Sequence, residues 1–179
     1  MSFAGVLNVA VISLAALLFA PPHAVKSDQA PADFVTTVRT ATEQFLDVRR
    51  AHDAHYEPFL GCVSGPQEGA MGVHFVNLAL VGDGELDVNH PEALIYEPTD
   101  SGEARLVGVE YIVTVDDWHK HHRDLVGAPV LNGQTFHFND SPNRFGLPAF
   151  YELHVWAWQQ NPHGTFVDWN TLVSCDGAR

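Results

Sequence analysis

"YELHVWAW", Tyr151–Trp158, decides how this chain is read. It alternates, is rich in aromatics and contains neither Gly nor Pro, which predicts a β-strand. Side chains alternate across a strand, so one face carries Tyr151, Leu153, Val155 and Ala157. That face is an ordinary core surface. The other carries Glu152, His154, Trp156 and Trp158. Two tryptophans do not suit a face turned to water, and a carboxylate and an imidazole do not suit a sealed core. A semi-enclosed pocket satisfies both.

The chain around this strand has 179 residues, enough for one domain with a real core. Its 22 acidic and 9 basic residues give a net charge of −13. Such a surface repels phosphate backbones and anionic headgroups, and no basic stripe is present. Nucleic acid and the membrane surface are therefore not expected partners; a small molecule is. Residues 1–30 differ from the rest. "VLNVAVISLAALLFA", residues 6–20, fits the apolar core of a secretory signal and is short for a spanning helix, although no Lys or Arg precedes it. The reading is a signal peptide and short linker over 1–30, a single domain over 31–179, and a secreted or extracytoplasmic location without stable membrane association after cleavage. In an exported chain, the two cysteines, Cys62 and Cys175, predict one disulfide.

Within the domain, Asp33 to about His55 predicts one long amphipathic helix, with Phe34, Val38, Ala41, Phe45, Val48 and His52 on a stripe. After Cys62 the pattern is β: "VHFVNLAL" at 73–80, "EALIYEP" at 92–98, "RLVGVEYIVTV" at 105–115, "QTFHF" at 134–138, and Tyr151–Trp158. The His-rich "WHKHHRD", residues 118–124, reads as a polar surface loop. No βαβ spacing occurs. The expected fold is α+β: an N-terminal helix packed on a mostly antiparallel, curved sheet or small barrel of about five to six strands.

Alternation applied to the other strands places single ionisable groups on otherwise apolar faces: His74, Glu97, Glu110, Glu152 and His154. Any one of them alone is most simply a solvent-facing or satisfied residue. Together, if their faces converge, they must pair, bind a metal or meet a polar ligand, because a lone buried charge is costly. His74, His154 and Glu110 are the candidate ligands of a divalent zinc, iron or manganese ion, with Glu110 and Glu152 as candidate catalytic groups. Gly108 beside Glu110 reads as room for a ligand. Trp156, Trp158, Tyr111, Asn77 and Glu97 are the candidate ligand-binding residues. None of the five ionisable groups stands in a compact metal signature such as H-x-H or H-E-x-x-H.

The stretches "GAMGVHFVN", "PEALIYEP", "LVGVEY" and "YELHVWAWQQNPHGTFVDWN" are similar to motifs of a bacterial and fungal family without a characterised activity. The resemblance covers about residues 40–175 and departs at Thr171, where the family motif has Pro. It implies that His74, Asn77, Glu97, Glu110, Glu152, His154 and Trp156 travel together, and it implies no reaction. Three functions remain open at this point. One is an exported small-molecule-binding protein acting as a mononuclear metal-dependent enzyme. The second is a metal-free ligand-binding protein. The third is a metal-free acid–base enzyme of the isomerase or cyclase type on a helix-plus-curved-sheet scaffold.

Overall fold

The amphipathic N-terminal stretch does not form one helix; it breaks at Asp47. The computed structural model describes Met1 and residues 30–178, so the apolar run read as a signal sequence lies outside the described residues. Helix α1 (Ala32–Thr42) runs into a 3-10 turn (Glu43–Leu46), and helix α2 (Val48–Asp53) starts anew. Asp47 between them is extended, and its side chain accepts a hydrogen bond from the Arg49 N–H. A short acidic side chain satisfies an orphan N–H at a helix start better than it serves a helix interior, so the stripe of apolar residues continues through a chain that restarts. Phe34, Val38, Phe45 and Ala51 still point into one core.

Strands β1 (Glu57–Gly65), β2 (Gly69–Val76), β3 (Ala93–Pro98) and β4 (Ala104–Thr114) follow, with the short helix α3 (Leu78–Val81) between β2 and β3. Helix α4 (Val115–His121), a small hairpin β5 (Val130–Leu131) and β6 (Gln134–Thr135), then β7 (His137–Asn139) and β8 (Phe150–Val155), complete the chain. One curled, fully antiparallel sheet has the order β1-β2-β3-β4-β8-β7. The expected α+β class and antiparallel six-strand sheet are thus present, with four α-helices among the described residues.

Several boundaries move for local reasons. β2 stops at Val76, not at residue 80, because Asn77 turns the chain and caps α3, accepting from the Ala79 N–H. The His-rich stretch is helical: Thr114 caps α4 by accepting from Asp117 N–H, and Trp118 is buried beneath it. "QTFHF" splits into β6 and β7. β1 has no sequence signal beyond Pro58, which is tolerated because β1 is an edge strand.

The helices cover one face of the sheet. Phe75, Leu94, Tyr96, Val109, Tyr111, Val113, Leu153 and Val155 meet Phe34, Val38 and Phe45 there. Its tyrosines reach polar backbone at the margins: Tyr96 donates to the Phe45 carbonyl at 2.6 Å and Tyr111 to the Val88 carbonyl at 2.8 Å. On the opposite face, the C-terminal segment crosses one end. Asn170 pairs with Ala70, Val173 packs with Ile95, Val107 and Trp156, and Cys175 is bridged to Cys62 on β1. The other end of that face is lined by Val76, Ile112 and Phe150 beneath Phe59, Phe145 and Leu147. The site lies between these two ends.

Candidate functional site

Register assembles the site. Val76, Ala93, Glu110 and His154 form one row across β2, β3, β4 and β8. His74, Ile95 and Gly108 form the next. Neighbouring strands lie about 4.8 Å apart, so β2 and β4 are separated by roughly 10 Å. Only Ala93 and Ile95 fill the β3 positions between them, and over the small Ala93 the long His74 and Glu110 side chains meet. His74 Nε2 lies 3.2 Å from His154 Nε2 and 3.4 Å from Glu110 Oε2. His154 Nδ1 lies 3.4 Å from Glu110 Oε1. The three side chains are 12%, 5% and 0% exposed for His74, Glu110 and His154, so the group is shut away from bulk water.

Glu152 sits on the same face of β8, opposite Ile112 on one side and His137 of β7 on the other. His137 Nδ1 is 3.3 Å from Asp168 Oδ1, and that oxygen is 3.8 Å from His154 Nδ1. His74, Glu110 and His154 form one set of potential ligand atoms within 4.8 Å of one another; His137, Glu152 and Asp168 form another.

Burial sets the protonation of the group. It holds His74 down to about 4. It also holds His154 well below the ordinary histidine value, and the neighbouring His74 and His137 add to the effect. Both imidazoles are therefore neutral at pH 7 and keep a lone pair. Burial, then the neighbouring carboxyl of Glu152, raise Glu110 well above the usual carboxylate range. Asp168 is raised by burial and by Glu152.

The site forms the floor of a cavity of about 50 Å³, several times the roughly 10–15 Å³ that a single water needs. Its polar floor is His74, Glu110, Glu152 and His154. Its walls are apolar: Phe59, Val63, Met71, Val76, Ile112, Phe145, Leu147 and Phe150 among them. A small, largely apolar molecule with one polar end fits such a shape.

Four of the five ionisable residues singled out by alternation converge here. The fifth, Glu97, does not. It pairs with Arg105 and accepts from the Ser174 N–H at 2.9 Å, which ties down the C-terminal segment. The candidate ligand-binding residues also go elsewhere. Asn77 caps α3 and donates to the Ala54 carbonyl at 3.1 Å. Tyr111 points into the helix-side core. β8 ends at Val155, so the alternation fails beyond it: Trp158 turns to the helix side, donating to Thr42 Oγ1 at 3.0 Å beneath the Arg39 guanidinium. Trp156 remains beside His154, its ring 6.2 Å away, but is buried in the tail-side cluster and does not line the cavity above the site. Gly108 makes room for this tryptophan and not for a ligand; a side-chain carbon there would lie 2.9 Å from the Val155 carbonyl oxygen and 3.4 Å from the Trp156 ring.

Sequence reasoning missed His137, Asp168 and most of the aromatic walls. His137 carries a usable signal, a single imidazole between Phe136 and Phe138. Asp168 lies in an irregular segment, where alternation says nothing. No family model matches the chain, and comparisons with curated proteins and with solved structures return no match.

Proposed function

We propose that this chain is an exported, mononuclear metal-dependent enzyme acting on a small, largely apolar molecule. His74, His154 and Glu110 hold the ion, and the cavity holds the substrate above it. The observation that carries this reading is the spacing of the three groups. Ligand atoms on a tetrahedral ion lie roughly 3.3–3.6 Å apart when each bond is about 2.0–2.2 Å. The His74–His154 and His74–Glu110 separations, 3.2 and 3.4 Å, sit at that edge length. Two neutral imidazoles and a carboxyl suit zinc, iron or manganese, and three protein ligands leave a position open for water or substrate. Such an ion lowers the pKa of a bound water or polarises a substrate oxygen. Glu152, buried next to Glu110, is placed to orient the ligands or take a proton. Export is supported by the Cys62–Cys175 bridge, which an oxidising compartment preserves. His74, Glu110 and His154 also fall within the motifs shared with the uncharacterised family.

The test is the metal content of the untagged protein by elemental mass spectrometry, beside His74→Ala and His154→Ala. Near-stoichiometric metal that both variants lose is the expected result. Trace metal in the wild-type protein after incubation with zinc, iron(II) or manganese refutes the reading. That outcome would favour acid–base chemistry, for which Glu110 at the cavity floor, its pKa raised by burial and by Glu152, is the supporting observation.

A further inference from the structure

We infer that the protein carries a second divalent-cation site, built from His137, Glu152 and Asp168 directly beside the first, so that the two together form a two-metal centre. The inference rests on the reading of its neighbour as a metal site, extends that centre from one ion to two, and adds three residues to which that reading gives no ligand role.

Three observations carry it. First, one ligand atom from each of His137, Glu152 and Asp168 lies within 4.8 Å of the others. His137 Nδ1 and Asp168 Oδ1 are 3.3 Å apart, again the edge of a small coordination shell. Second, two buried polar atoms at the seam between the two sets have no hydrogen-bond partner: His154 Nδ1 and Asp168 Oδ1. They lie 3.8 Å apart, too far for a hydrogen bond, with the His154 side chain fully buried. Buried groups of this kind are almost always satisfied, and each costs about 1–3 kcal/mol when it is not. A cation held by Asp168 would supply the missing partner for its oxygen. Third, the two sets adjoin. Glu110 and Glu152 lie diagonally on the paired strands β4 and β8, opposite His154 and Ile112, and both line the floor of the same cavity. Two-metal sites hold their ions about 3.5–4 Å apart, so two adjoining ligand sets are what such a centre would need.

The two sites differ in access. His74, Glu110 and His154 are enclosed, whereas His137 is 55% and Asp168 29% exposed. The second site is therefore the outer one, loaded from solvent and exchanging faster. With two divalent ions bound, three carboxylates would set a ligand charge of −3 against +4, which leaves the centre suited to an anionic or polarisable oxygen group of a substrate.

The experiment is a zinc titration of metal-stripped, untagged protein by isothermal calorimetry, checked by elemental analysis. It compares wild type, the outer-site double variant His137→Gln/Asp168→Asn, and His74→Ala. These outer replacements keep the side-chain size, and thermal unfolding checks that each variant is folded. Expected are two equivalents in wild type, the weaker lost in the double variant, and the tighter retained there with its affinity changed less than about tenfold. One equivalent in wild type, unchanged in the double variant, overturns the second site and leaves the mononuclear reading standing. No zinc in any protein overturns both. Two equivalents in both wild type and the double variant place the second ion elsewhere and also overturn the inference.

Discussion

Replacing Glu110 with Gln separates a structural role for this carboxyl from a metal-binding one. Glu110 is buried, its nearest basic neighbours are imidazoles held neutral, and its pKa is raised by burial and by Glu152. The sign follows. In acid, both the folded and unfolded chains carry the proton. Above the ordinary carboxylate range only the unfolded chain gives it up, so this group erodes stability as pH rises. Gln has the same shape and no proton to lose. Metal-free Glu110→Gln is therefore at least as stable as wild type at pH 7. With metal the order reverses. At zinc one hundred times above its dissociation constant, binding stabilises wild type by about 2.7 kcal/mol. For a chain of this length that is roughly 5–10 °C in Tm. Losing the anionic ligand by a factor of about 100 in affinity, the upper end for a mere supporting residue, leaves about 0.4 kcal/mol and a shift of roughly 1 °C. Differential scanning fluorimetry with and without zinc reads both effects. A metal-free Glu110→Gln that melts far below wild type would mean that the carboxylate is ionised and paired in the empty protein. Equal zinc shifts in the two proteins would remove Glu110 from the ligand set.

Glu92 offers an independent test away from the cavity. Burial raises it to about 8, although it accepts from the Ile112 N–H at 2.9 Å. Its folded pKa lies above its unfolded one, so stability is full in acid and declines between about pH 4.5 and 8, at about 1.4 kcal/mol per pH unit. Glu92→Gln should recover roughly 3 kcal/mol at pH 7 and nothing at pH 4, by urea melts; a pH-independent difference refutes the assignment. Gly69 has φ +85°, and a side-chain carbon there would lie 2.1 Å from the Asn170 carbonyl oxygen. Gly69→Ala should cost about 2–4 kcal/mol and detach the C-terminal segment, seen as faster hydrogen exchange at Asn170; unchanged exchange would contradict that packing. The disulfide closes 113 residues. Cys62→Ser/Cys175→Ser should lose at most roughly 4–5 kcal/mol by denaturant melts, and no loss would mean that the tail holds without it.

The sheet was legible because alternation survives wherever one face is apolar: β3, β4 and β8 lie within a residue or two of their expected starts. The same rule misplaced residues where the backbone departs from regular pleating. Ile95 pairs with Gly108 but Tyr96 with Leu106, so Val107 is the extra residue of a bulge. Val107 consequently faces the tail with Ile95 and Trp156, while Leu106 joins the helix-side core, the reverse of simple alternation. Trp158 was misassigned for a related reason, since its N–H and that of Gln159 both donate to the carbonyl of that bulged residue. The break at Asp47 was hidden because a restarted helix keeps its apolar stripe. His74, Glu110, Glu152 and His154 were found because an ionisable group on an apolar strand is itself a signal. Asp168 has no such background to stand out from.

Why the cluster lies where it does follows from how the face is divided. A sheet with one face covered by helices must still cover the other. Here the C-terminal segment covers one end, through Val173 and the Cys175 bridge, and loop aromatics cover the other end. Between the two covers lies the middle, where the side chains are ionisable. An apolar residue at Glu110 or His154 would fill that seam with more favourable burial and no desolvation cost. Retaining three carboxyls and three imidazoles in two adjoining sets instead leaves His154 Nδ1 and Asp168 Oδ1 without a hydrogen bond. Stability alone gives no reason for that arrangement. Glu152 raises the pKa of both Glu110 and Asp168, and the two atoms without a hydrogen bond face each other across 3.8 Å. Cations would relieve both conditions at once, by drawing the protons off the carboxyls and giving the orphaned oxygen a partner. The segment that ends at the Cys62–Cys175 bridge brings Asp168 to this seam, so the disulfide also helps to hold Asp168 beside His137 and His154.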